Sequence, residues 1–157
     1  MKLSTRCRYG SRALVEIGRN YGHGPTKRKD ICKNQELSDS YLENILIALK
    51  TAGILDTIRG ARGGYVLCRP PSRVTMYDIA IALEGSQAAV ECLDNDAMCS
   101  RTGACATQDV WRAVRLAEER ILKETTVEDL VTREKRYSRK RGARANGHRR
   151  TRRGAAA

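Results

Sequence analysis

The sequence predicts a mainly α-helical fold with one small β-hairpin. The first fifty residues contain three short amphipathic segments separated by tight joints, and residues 54–69 then change from helical to alternating spacing of apolar residues. A long amphipathic segment follows at about 107–123. Three closely joined helices followed by a hairpin are typical of a winged helix-turn-helix. We therefore expect a winged helix-turn-helix with a long dimerisation helix behind it.

Each of the first three predicted helices begins after a residue that can accept a hydrogen bond from a free backbone N–H. Ser4 caps the first helix, which ends near Asn20, and Thr26 caps the second, which ends near Gln35. Ser38 caps the third, and a glycine that suits a helix C-terminus follows it at position 53. Apolar residues recur in this third helix at helical spacing: Tyr41, Leu42, Ile45, Leu46 and Leu49.

The hairpin and the later helices are marked by changes in period and by turn residues. Segments 54–59 and 65–69 alternate between apolar and polar residues, with GARGG at 60–64 as the turn between them. Thr75 caps a short helix that ends at Gly85. Thr126 and Asp129 then form a capping pattern before a last short helix.

Positive charge is concentrated in the first half of the chain and in residues 133–157. The formal net charge is +12, and residues 133–157 hold eleven basic residues and one acidic residue. Residues 1–73 hold fourteen basic and six acidic residues, whereas residues 74–132 hold five and eleven. A basic first half indicates a polyanionic partner. The composition of 133–157 predicts a disordered basic tail, either simply solubilising or adding salt-dependent affinity for nucleic acid.

The start of the third helix is the predicted base-reading surface, because a helix-turn-helix presents this part to the DNA major groove. Asn44 can pair with adenine, and Glu43 can accept a hydrogen bond from cytosine N4. A Glu43 side chain that is simply solvated fits the sequence equally well. The predicted DNA-contacting residues are Ser38, Ser40, Tyr41, Glu43 and Asn44 on this helix, Arg59 and Arg62 in the wing, and Lys2, Arg8 and Arg28 as phosphate neutralisers, with Arg6, Lys27 and Lys29 as further candidates.

Three segments together resemble the IscR/CymR/NsrR family of winged-helix bacterial transcriptional regulators. They are the opening KLSTRCRYG, the SYLE segment at 40–43 and RGARGGYVL at 59–67. The resemblance runs from residue 1 to about residue 132 and leaves the basic tail outside. It implies a homodimer with the long helix as the dimer element, palindromic double-stranded DNA as the target and, in many members, an iron–sulfur cluster as the sensor.

The segment ECLDNDAMCSRTGACATQ, residues 91–108, contains three cysteines in eighteen positions. Thiolates are soft ligands that suit iron–sulfur clusters, and the resemblance implies that Cys92, Cys99 and Cys105 hold one, of either 2Fe-2S or 4Fe-4S type. IscR-like members have a histidine where this chain has Gln108, and other members have an acidic residue where it has Arg8. Gln108 is the tentative fourth ligand. Other open candidates are Asp94, Asp96, Asp109, a partner residue or an exogenous ligand.

Other uses of these cysteines stay open. Zinc fits less well because it prefers four ligands in CxxC pairs, and a disulfide switch or inert thiols require no metal. The remaining three cysteines lie apart in the winged unit and are expected to act as small buried hydrophobes: Cys7, Cys32 and Cys68.

The predicted function is therefore a homodimeric DNA-binding regulator controlled by an iron–sulfur cluster. The alternatives are a cluster-free repressor responsive to thiols or cysteine metabolism, and a basic RNA-binding protein. The chain shows no GxSxG, Walker or HExxH pattern, which argues against an enzyme. It has neither an apolar leader nor a spanning segment, so we expect it in the cytoplasm.

The predicted domain organisation has four parts. Residues 1–85 form the winged helix-turn-helix DNA-binding domain, and 86–107 form the cysteine-bearing cluster loop. Residues 108–132 form the dimerisation helix with a short helix, and 133–157 form the disordered basic tail.

Overall fold

The computed structural model describes residues 4–85 and 91–139. The predicted mainly α-helical fold with a two-stranded antiparallel wing is confirmed. The elements are α1 (Thr5–Arg19), α2 (Arg28–Gln35), α3 (Asp39–Thr51), β1 (Leu55–Ile58), β2 (Gly64–Leu67), α4 (Met76–Glu84), α5 (Ala106–Glu124) and α6 (127–139), with short 3₁₀ turns at Pro71–Arg73, Glu91–Leu93 and Asp96–Met98. No helix in the described ranges is both long enough and apolar enough to cross a bilayer.

The helix starts follow the sequence signals except at α2 and, in part, at α3, where Ser38 occupies the N-cap position but its side chain makes no capping hydrogen bond. The Ser4 hydroxyl accepts a hydrogen bond from the Cys7 N–H, as an N-cap should. Thr26 does not cap α2, which begins after Lys27. Instead, Thr26 is buried and exchanges two 2.9 Å backbone hydrogen bonds with Tyr65 of β2. The predicted cap at Thr26 is therefore wrong, because this residue joins the helix-turn-helix to the wing.

The wing is a short antiparallel pair that runs from the Leu55–Leu67 partners to the Ile58–Gly64 partners. Leu55 and Leu67 are buried, so the base of the hairpin belongs to the core. A side chain at Gly64 would collide with the Thr26 carbonyl group. Glycine is needed here because the wing backbone lies directly against the joint before α2.

Helix α1 lies between several other elements of the core. A side chain at Gly10 would overlap Leu83 of α4, and one at Gly18 would lie 2.7 Å from the Val127 side chain of α6. These glycines let the α1 backbone approach both helices closely. The largest fully buried side chains are Leu14, Ile17, Ile31, Leu42, Ile45, Leu46, Leu49, Ile54, Leu55, Ile79, Val74 and Val127.

The junction between α5 and α6 is attached to the start of α4. The Met76 N–H donates to the Thr125 carbonyl group, and the Val127 N–H donates to the Val74 carbonyl group, both at 2.8 Å. Thr75 caps α4 in a reciprocal capping box with the carboxylate three residues later. The long helix is thus held to the winged unit at its C-terminal end.

Helix α6 is longer than the sequence indicates. Thr126 and Asp129 form the predicted reciprocal cap, and the helix continues through residue 139. Arg19 and Glu134 form an ion pair at 2.9 Å between α1 and α6. The predicted start of a disordered tail at 133 therefore lies inside a helix, and the rest of that tail, 140–157, lies outside the described residues.

Candidate nucleic-acid interface and cysteine segment

The start of α3 presents a polar face to solvent. Ser38, Ser40, Glu43 and Asn44 are exposed, while the opposite face of the helix is buried in the core. Tyr41 differs from these predicted contact residues. It is half-buried and its ring packs edge-on against Tyr9 of α1, with ring centroids 6.1 Å apart. Tyr41 thus anchors α3 on α1.

One of the predicted phosphate neutralisers is paired within the protein. Arg28 Nη1 lies 2.6 Å from Glu43 Oε1, and Arg28 Nη2 lies 2.6 Å from Asp39 Oδ2. The thiol of Cys32 also lies 3.6 Å from Asp39 Oδ1. Glu43 is therefore neither free nor simply solvated in this structure, because it shares a guanidinium group with Asp39.

The other predicted basic contacts lie on separate elements of the winged unit. Arg59 and Arg62 are exposed in the turn between β1 and β2. Arg8 is exposed on α1, with its guanidinium carbon 5.6 Å from the Tyr9 ring centroid. Lys2 lies outside the described residues. The further candidates Arg6, Lys27 and Lys29 are also exposed.

The three cysteines of the segment between α4 and α5 occupy different local structures. Cys92 lies in the 3₁₀ turn Glu91–Leu93, and Cys99 follows the turn Asp96–Met98. Cys105 is the N-cap residue of α5. All three are half-buried with free thiols. Among the described residues, no three Cys, His, Asp or Glu side chains are grouped closely enough to hold a metal ion.

Gln108 connects the two ends of this cysteine segment. Its side chain is buried, its Nε2 donates to the Cys92 carbonyl oxygen, and its Oε1 accepts from the Gly103 N–H, both at 3.2 Å. Arg115 adds a second attachment. It donates to the Leu93 carbonyl oxygen at 3.2 Å and pairs with Asp94 at 2.8 Å. The segment is thereby fastened to the first half of α5.

Local hydrogen bonds lower the pKa of the Cys105 thiol. The Thr107 hydroxyl lies 3.1 Å from the Cys105 sulfur. The Thr107 side chain, the backbone N–H groups of Gln108 and Thr107, and the charge of Arg101 lower the pKa of the Cys105 thiol. A thiolate is both the better metal ligand and the better nucleophile.

The carboxylates that are candidate fourth ligands include two that lie close to arginine side chains of α5. Asp94 pairs with Arg115, and Asp109 lies 3.9 Å from Arg112. The side chain of Asp96 lies outside the described part of the structure. In this arrangement the amide of Gln108 stabilises the segment.

The cysteines of the winged unit follow the buried-hydrophobe expectation only in part. Cys7 is fully buried, and burial together with Glu84 raises the pKa of its thiol. Cys32 is half-buried, and burial followed by Asp39 raises the pKa of its thiol. Cys68 is exposed, so the expectation is wrong for it, because it directly follows the end of β2.

Sequence reasoning finds the exposed face of α3 and the three cysteines, but it misses the pairing around them. Nothing in the sequence indicates that Arg28 reaches Glu43 across the turn, or that Arg115 reaches back to Leu93. The sequence signal that bears on the Arg28 contacts is opposite charge, since Arg28 is the first residue of α2 and Asp39 is the first residue of α3.

A polar recognition helix beside an arginine-bearing wing defines the class of winged-helix DNA-binding proteins. Comparisons with known proteins agree with this class. The family model Rrf2, described as an iron-dependent transcriptional regulator, matches residues 3–133. The HTH-type transcriptional regulator CymR of Bacillus subtilis is 39% identical over 132 residues, which cover 84% of this chain and 91% of that protein. Protein rrf2 of Nitratidesulfovibrio vulgaris is 37% identical over 131 residues, covering 83% of this chain and 87% of that protein.

Solved structures show the same relationship. The structure of CymR, the global cysteine regulator of B. subtilis, superposes with a TM-score of 0.73 at 38% identity, covering 84% of this chain and 97% of that one. The structure of T. potens IscR superposes with a TM-score of 0.70 at 32% identity, covering 85% and 88%. This chain belongs to the Rrf2 family of transcriptional regulators. It is a DNA-binding regulator and not an enzyme.

Proposed function

We propose that this regulator acts as a homodimer whose DNA binding is controlled by an iron–sulfur cluster held by the cysteine segment. The observation that carries the proposal is the attachment of that segment to α5. Cys92, Cys99 and Cys105 lie on one short stretch that Gln108 and Arg115 fasten to the long helix. An event at the thiols is therefore coupled to α5.

The homodimer is proposed from the surface of α5. At 3.6 residues per turn, Val110, Val114 and Ile121 fall on one line of this helix, with Trp111 beside them. All four side chains are exposed. A stripe of this kind on a regulator is most simply covered by the same stripe of a second copy, because two-fold symmetry makes the surface self-complementary. Leu116 is also exposed, but it lies on another side of α5.

Duplex DNA is the proposed ligand of α3 and the wing. Ser38, Ser40, Glu43 and Asn44 offer hydrogen-bonding groups suited to base edges in a major groove. Arg59 and Arg62 lie in a glycine-rich turn, where a guanidinium group suits a narrow minor groove. In a two-fold dimer, two such units would read the two halves of a palindrome.

The donor chemistry of the cysteine segment fits an iron–sulfur cluster. Three half-buried thiols are available, and the Thr107 hydroxyl lowers the pKa of the Cys105 thiol. The cluster, when bound, would supply a labile, redox-active inorganic group. Cys92, Cys99 and Cys105 would hold it, and the segment would rearrange to bring their sulfurs together, since the described residues form no metal-binding group. Gln108 would have to release the Cys92 and Gly103 backbone groups before it acted as a fourth ligand.

The fold offers a physical route from the segment to α3. The segment is fastened to α5, the C-terminal end of α5 is bonded to the start of α4, and α4 packs against α1 and α3. A rearrangement of the segment changes DNA affinity only if the two arrangements differ in their free energy of binding DNA. We expect the cluster-loaded and stripped proteins to differ in affinity or in sequence preference.

The test is anaerobic purification of the full chain, with iron and sulfide analysis, visible absorption and duplex binding. We expect a coloured protein that loses its iron and its absorption in the Cys92→Ala/Cys99→Ala/Cys105→Ala variant. Cys68→Ala is the matched control and should keep both. Equal binding of the same duplexes by loaded and stripped protein would remove the sensing part of the proposal.

A cluster-free thiol switch is the second candidate, favoured by the lowered pKa of the Cys105 thiol and by the similarity to CymR, the global cysteine regulator of B. subtilis. Here oxidation of two thiols in the segment to a disulfide would change DNA binding. An iron-free protein whose duplex binding responds reversibly to diamide and dithiothreitol, and no longer responds as Cys105→Ser, would select this candidate over the cluster.

A further inference from the structure

The guanidinium group of Arg28 joins both helices of the helix-turn-helix. Arg28 is the first residue of α2, and Asp39 is the first residue of α3, with Glu43 one turn further along. The two terminal nitrogens of Arg28 each lie 2.6 Å from a different carboxylate, Nη2 from Asp39 and Nη1 from Glu43. One side chain thus fixes the positions of two acidic groups on the predicted base-reading face.

These two carboxylates present an electrostatic difficulty for DNA binding. Asp39 and Glu43 lie on the same side of α3, at the end that would enter a groove lined by phosphates. Unpaired, they would bring two negative charges towards a polyanion, and repulsion of this kind strengthens as water is displaced from the interface. With Arg28 between them, the three side chains carry one net negative charge instead of two.

Pairing does not bury Glu43. Its side chain stays 47% exposed while Oε1 is held by Arg28. A carboxylate held in this way keeps one orientation, and less conformational freedom is lost when it accepts a hydrogen bond from a cytosine amino group.

We infer that Arg28 is a positioning residue for sequence reading, which holds Glu43 and Asp39 in place and does not itself contact a phosphate. The inference rests on the proposed binding of duplex DNA by α3. It replaces the expectation that Arg28 is one more phosphate neutraliser. The free protein gains little stability from such an exposed network, because water screens it. Its effect appears when DNA excludes that water.

The experiment is a double-mutant cycle on a duplex selected by the full-length protein from a randomised pool. Affinity is measured for the wild-type protein, Arg28→Gln, Asp39→Asn/Glu43→Gln and the triple variant. We expect Arg28→Gln to weaken binding about tenfold in the wild-type background and less than about twofold once both carboxylates are neutral. We also expect Arg28→Gln to reduce discrimination between the selected duplex and duplexes altered at single base pairs.

Three measurements decide between this role and its rivals. Lys29→Gln, at the exposed neighbour, gives the effect of losing one positive charge from the same helix. Arg28→Lys keeps the charge but not the two-pronged geometry, and we expect it to bind between Arg28→Gln and the wild type. Urea unfolding of Arg28→Gln should leave the free energy of unfolding close to that of the wild type.

A direct phosphate contact would give a different pattern. The loss on Arg28→Gln would then be the same in both backgrounds, discrimination would not change, and the slope of log K against log salt would fall by about one. That result overturns the positioning role. A loss of DNA binding that is fully explained by unfolding of Arg28→Gln would overturn it as well. If no sequence is enriched from the pool by the wild-type protein, the proposed reading of DNA by α3 fails, and this inference fails with it.

Discussion

The side-chain amide of Gln108 donates to the carbonyl oxygen of Cys92, sixteen residues earlier, at 3.2 Å. Its oxygen accepts from the Gly103 N–H at the same distance. One buried glutamine therefore closes the cysteine segment on itself and onto α5. The side chain predicted as the tentative fourth ligand forms, in this structure, a bracket that holds the segment.

Gln108→Ala should destabilise this bracket. It removes two hydrogen bonds and leaves the Cys92 and Gly103 backbone groups without their partner, which costs about 1–3 kcal/mol. We expect the free energy of unfolding in urea to fall by that amount and proteolysis within the cysteine segment to accelerate. Asp109→Ala, at the exposed neighbouring position, is the control. Unchanged stability and cleavage in Gln108→Ala would show that the bracket does not hold the segment.

The Thr107 hydroxyl should control the reactivity of Cys105. Its hydrogen bond is the largest cause of the lowered pKa of the Cys105 thiol, so the thiolate persists to lower pH than in an ordinary cysteine. We expect the rate of iodoacetamide alkylation at Cys105, followed by peptide mass spectrometry, to fall at a lower pH than the rate for an ordinary cysteine. In Thr107→Val the same rate profile should move to higher pH. Identical profiles in the two proteins would contradict this assignment.

The α5 stripe should be required for the dimer. Val114→Glu places a charge on the line shared with Val110 and Ile121, and two-fold symmetry places it in the interface twice. We expect the dimer dissociation constant to rise at least tenfold, since each charge buried without a partner is costly. Leu116→Glu makes the same chemical change on another side of the helix and should leave the constant nearly unchanged. Sedimentation equilibrium measures both, and equal effects would argue against this face.

Two truncations separate the folded unit from the basic extension. Removal of 140–157 deletes seven basic and no acidic residues. Because fewer phosphates are then neutralised, we expect weaker duplex binding with a smaller salt dependence.

Removal from 133 onward also cuts α6 and the ion pair of Arg19 with Glu134, so we expect a lower melting temperature. Loss of sequence-specific duplex binding when only 140–157 is removed would instead favour the basic RNA-binding alternative.

Gly18→Ala should destabilise the protein although alanine favours helices. Its Cβ would lie 2.7 Å from the Val127 side chain, and such overpacking costs about 1–3 kcal/mol. Val127→Ala makes room for the new methyl group, so the double variant should be more stable than the sum of the single changes predicts. Urea unfolding of all four proteins measures this coupling. Purely additive losses would mean that the two residues do not meet.

The sequence predicts this fold well because its signals are local. Ser4, Thr75 and the Thr126–Asp129 pair cap helices as expected, and the change of period at residue 54 marks the wing. The errors arise where distant segments meet. Thr26 has the chemistry of a cap, but a pairing with Tyr65 that is visible only in three dimensions determines its role.

The candidate site divides in the same way. The cysteine spacing and the exposed polar residues of α3 can be found from one-dimensional patterns. The ion pairs of Arg28 and the two hydrogen bonds of Gln108 depend on side-chain reach across turns. The sequence does not predict the end of α6, because its last two turns contain few apolar residues and the ion pair of Glu134 with Arg19 gives no periodic signal.

The contact of Gly18 with Val127 also bears on how the chain folds as it is synthesised. Helix α1 is made before the other described elements, and its two glycines and modest length make it a weak helix by itself. The residue that covers Gly18 follows 109 positions later. A nascent chain therefore leaves the Gly18 end of its first helix without its Val127 contact until nearly all of the described fold has been made, and this end of α1 depends on α6 for its final packing.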